Sequence, residues 1–225
     1  MNPFQYLLDQ LVAYANPIYA PAMKAYMKDH FDYFGVNAPT RKQIVKSFKS
    51  IYKLNVLEDD FWELIHLLWK EDHRESQYIA IDLLQSHAKK ITADRLPFLE
   101  TLIINKSWWD SIDGIAPAII GEILRRLPEY RDAYIYRWMD SDNIWLQRSA
   151  IIFQLKYGTA TDWDLLCEAI LKHDTSKEFF VRKAQGWALR QYSKFEPLKV
   201  MAFVSANPQL SGLTKKEALR NLKVD

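Results

Sequence analysis

The chain has 225 residues, 49% hydrophobic and 26% charged, with 30 Lys and Arg against 28 Asp and Glu for a net charge of +2. That length supports one large domain with a sizeable core. The near-neutral balance excludes a tail-driven, strongly basic nucleic-acid binder but allows a basic face on a mixed surface. Six Gly and nine Pro argue against disorder and a turn-rich all-β fold, and the single cysteine, Cys167, excludes an intramolecular disulfide and a multi-cysteine zinc site.

In chain order, the first stretch, MNPFQYLLDQLVAYA, lacks a basic n-region and Asp9 interrupts its apolar run, so it does not read as a signal peptide. No run approaches the roughly 18 apolar residues of a membrane span, and a soluble cytoplasmic protein is expected. Leu7, Leu8, Leu11 and Val12 recur at helical period. Pro39, at a first-turn position, opens a basic helix with Arg41, Lys42, Lys46, Lys49 and Lys53. Phe61, Leu64, Ile65, Leu68 and Trp69 form the next stripe, and residues 75–88, 97–104, 112–127, 144–155 and 163–171 continue the pattern. Ser107 is predicted to cap a helix with Asp110 at its third position. Pro117 should kink or restart that helix, and Pro128 should stop it. Ser141 or Asp142 is predicted to cap the helix holding Trp145, and Thr161 the one starting near Trp163. About a dozen helices joined by short connections follow, giving an all-α chain read as a single domain over residues 1–225.

A weak repeat suggests how the helices stack. IWLQRSAIIFQLKY (144–157) aligns with FFVRKAQGWALRQY (179–192) at an offset of 34, which places Arg148 on Arg182, or of 35, which places it on Lys183. Either period lies in the range of helical repeats and predicts an α-α superhelix, or solenoid, with one helical pair per unit and a concave face. An irregular helical bundle is the alternative.

Few residues offer chemistry. His30, His66, His73, His87 and His173 are dispersed, with no metal-binding spacing. Phosphate-cradling glycine loops and a GxSxG elbow are missing. Cys167 lies among Leu165, Leu166, Ala169 and Ile170, which suits an inert, buried thiol. In SWWDSID (107–113), Trp108, Ile112, Ile115 and Ile119 mark the core face, leaving Trp109 and Asp113, at i and i+4, together on another face. An aromatic ring beside a carboxylate suits stabilisation of a cationic sugar, although such a pair can equally order a helix end. Lys183, Trp187, Arg190 and Lys194 share a second face, a basic strip around an aromatic, and Arg148 and Lys156 lie similarly on the preceding unit. Such strips suit phosphates, with a solvated charged surface as the plain alternative.

SWWDSID (107–113), SDNIWLQRSAIIFQLKY (141–157), SKEFFVRKAQGWALRQY (176–192), MKAYMKDHFDYFGV (23–36) followed by Pro39 and Arg41, and LTKKEALRNLK near the C-terminus closely resemble the AlkD family of DNA alkylation-repair glycosylases. The resemblance runs over nearly the full length. It implies a stack of HEAT-like helical repeats with a concave basic cleft for duplex DNA. It also implies hydrolysis of the N-glycosidic bond of cationic N3- and N7-alkylpurines without a base-flipping pocket. The family's catalytic aspartate matches Asp113, its sugar-contacting tryptophans match Trp109 and Trp187, and its phosphate-binding arginine matches Arg148. Tyr26, Lys156 and Arg190 match further DNA contacts, and Lys183 joins them from the basic strip. No metal or organic cofactor is implied, and the family suggests a monomer. Arg148→Ala is expected to weaken DNA binding with little loss of stability. A non-catalytic helical-repeat protein that binds damaged DNA or a protein partner remains the alternative.

Overall fold

The computed structural model describes residues 2–222; Lys223, the last residue of the C-terminal motif, lies outside them. Among the described residues the structure is helical, with one isolated β-bridge between Asp32 and His73. Among the described residues no helix is long and apolar enough to cross a membrane. The fold forms two compact units, one ending at Ile91 and the other beginning at Thr92.

The N-terminal unit contains α1 (Pro3–Ala13), α2 (Ala20–Tyr26), α3 (Ala38–Ile51), α4 (Asp59–Lys70) and α5 (Arg74–His87). Asn2 and Asn37 cap α1 and α3, and each helix carries a proline in its first turn, where the missing N–H costs nothing. Asp59 and Asp60 in the first turn of α4 and Lys70 in its last complement the helix dipole. The apolar stripes of α1, α3, α4 and α5 bury Leu7, Leu11, Phe48, Phe61, Ile65, Leu68, Leu83 and Leu84. Glu75, fully buried at the start of α5, accepts hydrogen bonds from the backbone N–H groups of Phe34, Gly35 and Val36 at 2.9–3.1 Å. Gly35 has φ +86°, and a Cβ there would meet the Asn16 carbonyl oxygen at 2.1 Å, so only glycine fits.

The C-terminal unit contains α6 (Leu96–Ile104), α7 (Trp109–Ile115), α8 (Gly121–Arg126), α9 (Arg131–Met139), α10 (Ile144–Ile152), α11 (Trp163–Leu171), α12 (Phe179–Tyr192), α13 (Pro197–Ala206) and α14 (Gly212–Ala218). Between α7 and α8 the chain widens into a π turn, Ala116–Ile120. Pro117 explains it: proline has no N–H for the Asp113 carbonyl four residues earlier, and its ring crowds that carbonyl. The helix is thus neither broken nor restarted. Pro128 follows the end of α8, as its missing N–H dictates.

Starts at Arg74, Trp109, Ile144 and Phe179 fall at a regular 35-residue step and settle the register of the repeat: Asp113, Arg148 and Lys183 are equivalent positions. The side chain at the fourth position repeats a bond to the carbonyl six residues back: Gln77 to Glu71 (2.6 Å), Gln147 to Ser141 (2.7 Å) and Arg182 to Ser176 (2.5 Å). These bonds use carbonyls of the connecting turn that no helix satisfies. In the C-terminal unit α7 packs on α10, α10 on α12 and α12 on α14, so the fold is a helical repeat stacked through these second helices.

Several caps differ from expectation. The Ser107 hydroxyl donates to the Ile103 carbonyl at 2.6 Å, closing α6 instead of opening α7, so Asp110 is the second residue of α7. Asn143, not Ser141 or Asp142, caps α10, accepting from the N–H groups of Trp145 and Leu146. Asp162, not Thr161, caps α11 through the N–H of Leu165, while the Thr161 hydroxyl donates to the Gly158 carbonyl.

Candidate active site

Asp113 projects from the second turn of α7, beyond the buried Ile112 and Ile115 that anchor the helix. Arg148, at the equivalent position of α10, donates from Nε to Asp113 Oδ1 at 2.9 Å and from Nη2 to Oδ2 at 2.9 Å, a bidentate pair. Its third nitrogen, Nη1, donates to the Phe180 carbonyl in the first turn of α12 at 2.6 Å. The guanidinium carbon lies 5.9 Å from the centre of the Trp187 ring. The Arg148 side chain is 4% exposed while that of Asp113 is 22% exposed, so the carboxylate stays reachable from solvent.

Burial pushes the Asp113 carboxyl above the usual carboxylate range, further helped by Asp110, while Arg148 pulls it back down. Burial thus outweighs the pull of its one specific partner in setting how tightly Asp113 holds a proton. Trp109 and Trp187 are both half-buried, on α7 and α12. Asp110 in the first turn of α7 complements the helix N-terminus, the structural role its position suggested.

The basic strip is arranged differently from a row of solvated cations. Lys183 Nζ and Arg190 Nη1 each lie 2.6 Å from a carboxylate oxygen of Glu217 on α14, a residue that is itself buried. Glu217 was not singled out from the sequence. The signal lay in the quoted LTKKEALRNLK, where one acid stands among bases, but its partners lie 27 and 34 residues earlier. Lys156 is exposed beyond α10, and Lys194 is exposed beyond α12 with its Nζ on the Gln191 side-chain oxygen. Tyr26 belongs to the N-terminal unit, where it is 68% exposed. The structure therefore brings Asp113, Arg148 and Trp187 together and pairs Lys183 with Arg190 through Glu217.

Cys167 is half-buried and its thiol is pushed up to about 12 by burial, so it stays protonated. Among the described residues no group of three or more His, Cys, Asp and Glu side chains is placed to hold a metal ion.

A helical repeat that sets a buried Arg–carboxylate pair beside tryptophan defines an all-α protein with a charged, aromatic-lined site. The family model described as "DNA alkylation repair enzyme" matches residues 7–222, and the chain belongs to that family. Among solved structures, the chain is similar to a "Predicted DNA alkylation repair enzyme from Enterococcus faecalis", with 30% sequence identity, a TM-score of 0.86 and coverage of 94% of this chain and 98% of that one. A search of the curated proteins finds no match. The AlkD-type resemblance read from the motifs is thus borne out, as is the all-α helical-repeat fold.

Proposed function

We propose that the protein is a monofunctional DNA glycosylase that hydrolyses the N-glycosidic bond of cationic N3- and N7-alkylpurines in duplex DNA. The observation that carries this reading is the Asp113 carboxylate, held bidentate by Arg148 yet still open to solvent, with the Trp187 ring alongside. Alkylation at N3 or N7 gives the purine a positive charge and makes it a good leaving group, so little acid assistance is needed. As the C1′–N bond breaks, its electron pair leaves with the base and neutralises it, and positive charge develops on the deoxyribose. Asp113 stabilises that charge and orients the attacking water. The water oxygen bonds to C1′ and its proton passes to Asp113 and on to solvent. Trp109 and Trp187 offer ring faces to the cationic sugar. The products are a free base and an abasic site; the reaction calls for no amine nucleophile, redox partner or cofactor.

In this reading Arg148 has two tasks. It orients Asp113 and opposes the effect of burial on its carboxyl, and the two N–H groups left over from the three bonds above are the ones it would offer a flanking phosphate. Exposed Lys156 adds a cation on the same unit, Tyr26 adds a contact from the N-terminal unit, and Lys183 and Arg190 supply charge to the extent that Glu217 leaves it uncompensated. The chain would act as one domain, since the family match runs through both units; a monomer and a concave basic cleft remain what the resemblance implies. Contact through the sugar and phosphates, with the base left largely in its stack, would make a closed base pocket unnecessary. Work on the chromosome fits a cytoplasmic, nucleoid-associated location.

One observation favours a second reading, a helical-repeat protein that binds damaged DNA or a protein partner without chemistry: the bond to Arg148 already gives Asp113 a structural job. Asp113→Asn separates the two. The glycosylase reading predicts loss of base release with DNA binding retained, and the second reading predicts no release by either form, with DNA binding unchanged for a DNA binder and absent for a protein binder.

A further inference from the structure

Three aromatic rings pack together one turn from the Asp113–Arg148 pair. The Trp108 centroid lies 5.6 Å from that of Trp145 and 5.0 Å from that of Phe180, and Trp145 and Phe180 are 5.1 Å apart. Each ring comes from the start of a different helix: Trp108 immediately precedes α7, and Trp145 and Phe180 are the second residues of α10 and α12. The cluster therefore registers the three helices that carry Asp113, Arg148 and Trp187. Phe180 also touches the pair directly, because its own carbonyl accepts the third Arg148 nitrogen at 2.6 Å. With Nε and Nη2 committed to Asp113, that bond fixes the far side of the guanidinium plane.

We propose that Phe180 is a positioning residue for Asp113: its ring, held between Trp108 and Trp145, places its carbonyl so that Arg148 keeps the carboxylate in the bidentate geometry. The kinetic consequence rests on the glycosylase reading; the structural one does not. Deleting this half-buried ring removes packing shared by three helix starts, which can then shift by fractions of an ångström, and ion pairs of low exposure depend steeply on geometry. The Asp113 carboxylate then loses part of its bond to Arg148, its cationic partner among the described residues. Charged groups from the packed elements have other partners: the π turn Ala116–Ile120 carries none, α10 carries only Arg148, Glu100, the one charge on α6, is held by Arg137 and Trp138, and on α12 Arg182 bonds the Ser176 carbonyl while Lys183 and Arg190 bond Glu217. Asp110, on the same helix, opposes ionisation.

The test compares Phe180→Ala, Phe180→Leu and the conservative Phe180→Tyr. The Asp113 carboxyl is titrated by 13C NMR, and single-turnover release of 7-methylguanine from methylated duplex DNA is followed alongside DNA affinity. Phe180→Ala is expected to raise the Asp113 midpoint by about one pH unit. It should also slow release by about tenfold or more, with affinity falling by less than about threefold because Arg148 is one of several proposed phosphate contacts. Phe180→Tyr should restore both readouts, and Phe180→Leu, which keeps an apolar side chain and a folded protein, should fall between. An unchanged Asp113 midpoint in folded Phe180→Ala or Phe180→Leu overturns the proposal. A shifted midpoint with no release even by the unmutated protein sustains the positioning role and overturns the glycosylase reading.

Discussion

At the scale of single residues, the balance on Asp113 sets the pH behaviour. Its folded carboxyl sits above the usual carboxylate range because burial outweighs the pull of Arg148. If the charged form stabilises a cationic sugar, as proposed, base release should rise with pH through a midpoint above that of an ordinary aspartate; a midpoint at or below the ordinary value would count against burial as the dominant effect. The same shift has the opposite sign for stability. A raised folded pKa means that the folded state binds the proton more tightly than the unfolded chain, so the contribution of Asp113 is fully present at low pH and is lost as pH rises through the folded value. Arg148 shows where a residue-level reading of sequence stops. Its place on a basic face suggested a phosphate contact that could be removed with little loss of stability. In the fold it is buried on Asp113, 35 residues away, and Arg148→Ala strands a buried carboxylate. The expected cost is about 3 kcal/mol in urea denaturation, and a change below about 0.5 kcal/mol, the range of ordinary surface substitutions, would show that the pair is not formed in solution.

At the scale of elements, α12 and α14 meet so closely that a side chain at Gly186 has no space: a Cβ there would lie 2.5 Å from the Glu217 Cβ and 2.8 Å from the Thr214 carbonyl oxygen. Gly186→Ala should therefore destabilise the fold by about 2 kcal/mol, as overpacking does, whereas helix propensity alone predicts a small gain. Thermal or urea unfolding decides the sign. The hydrogen bond from Lys183 holds the Glu217 carboxyl below its usual range. A depressed folded pKa contributes stability above the unfolded carboxylate value and loses it as pH falls through the folded one. Glu217→Gln should thus lower stability at neutral pH by about 2 kcal/mol and flatten the acid side of the stability curve; an unchanged acid limb would contradict the assignment. Helices and their apolar stripes were legible from spacing, because Ile112, Ile115 and Ile119 bury themselves whatever lies opposite. Caps were less so. Ser141, Asp142 and Asn143 all carry suitable oxygens, as do Thr161 and Asp162, and only backbone geometry selects the one that meets the N–H groups.

At the scale of the whole molecule, the repeat was visible in the alignment of 144–157 with 179–192, but two registers fitted equally well. The helix starts choose 35 residues, and that choice puts Asp113, Arg148 and Lys183 at equivalent positions, from which the Asp113–Arg148 pair follows. Local spacing and motif resemblance single out Trp109, Asp113, Arg148 and Trp187 as candidates; the Glu217 clamp and the ring cluster are not legible in that way, because each joins residues from separate helices. If Lys183 and Arg190 face phosphates, Glu217→Gln should release both and steepen the dependence of log affinity on log salt by about two, near 0.9 per phosphate contact. An unchanged slope would place both cations outside the DNA surface. The most direct test of the central claim is metal-free release of alkylpurine from methylated duplex DNA by the unmutated protein and by Asp113→Asn. Release by the first and not the second, with both still bound to DNA, is the predicted result; equal release by both, or none by either, would contradict the role given to Asp113.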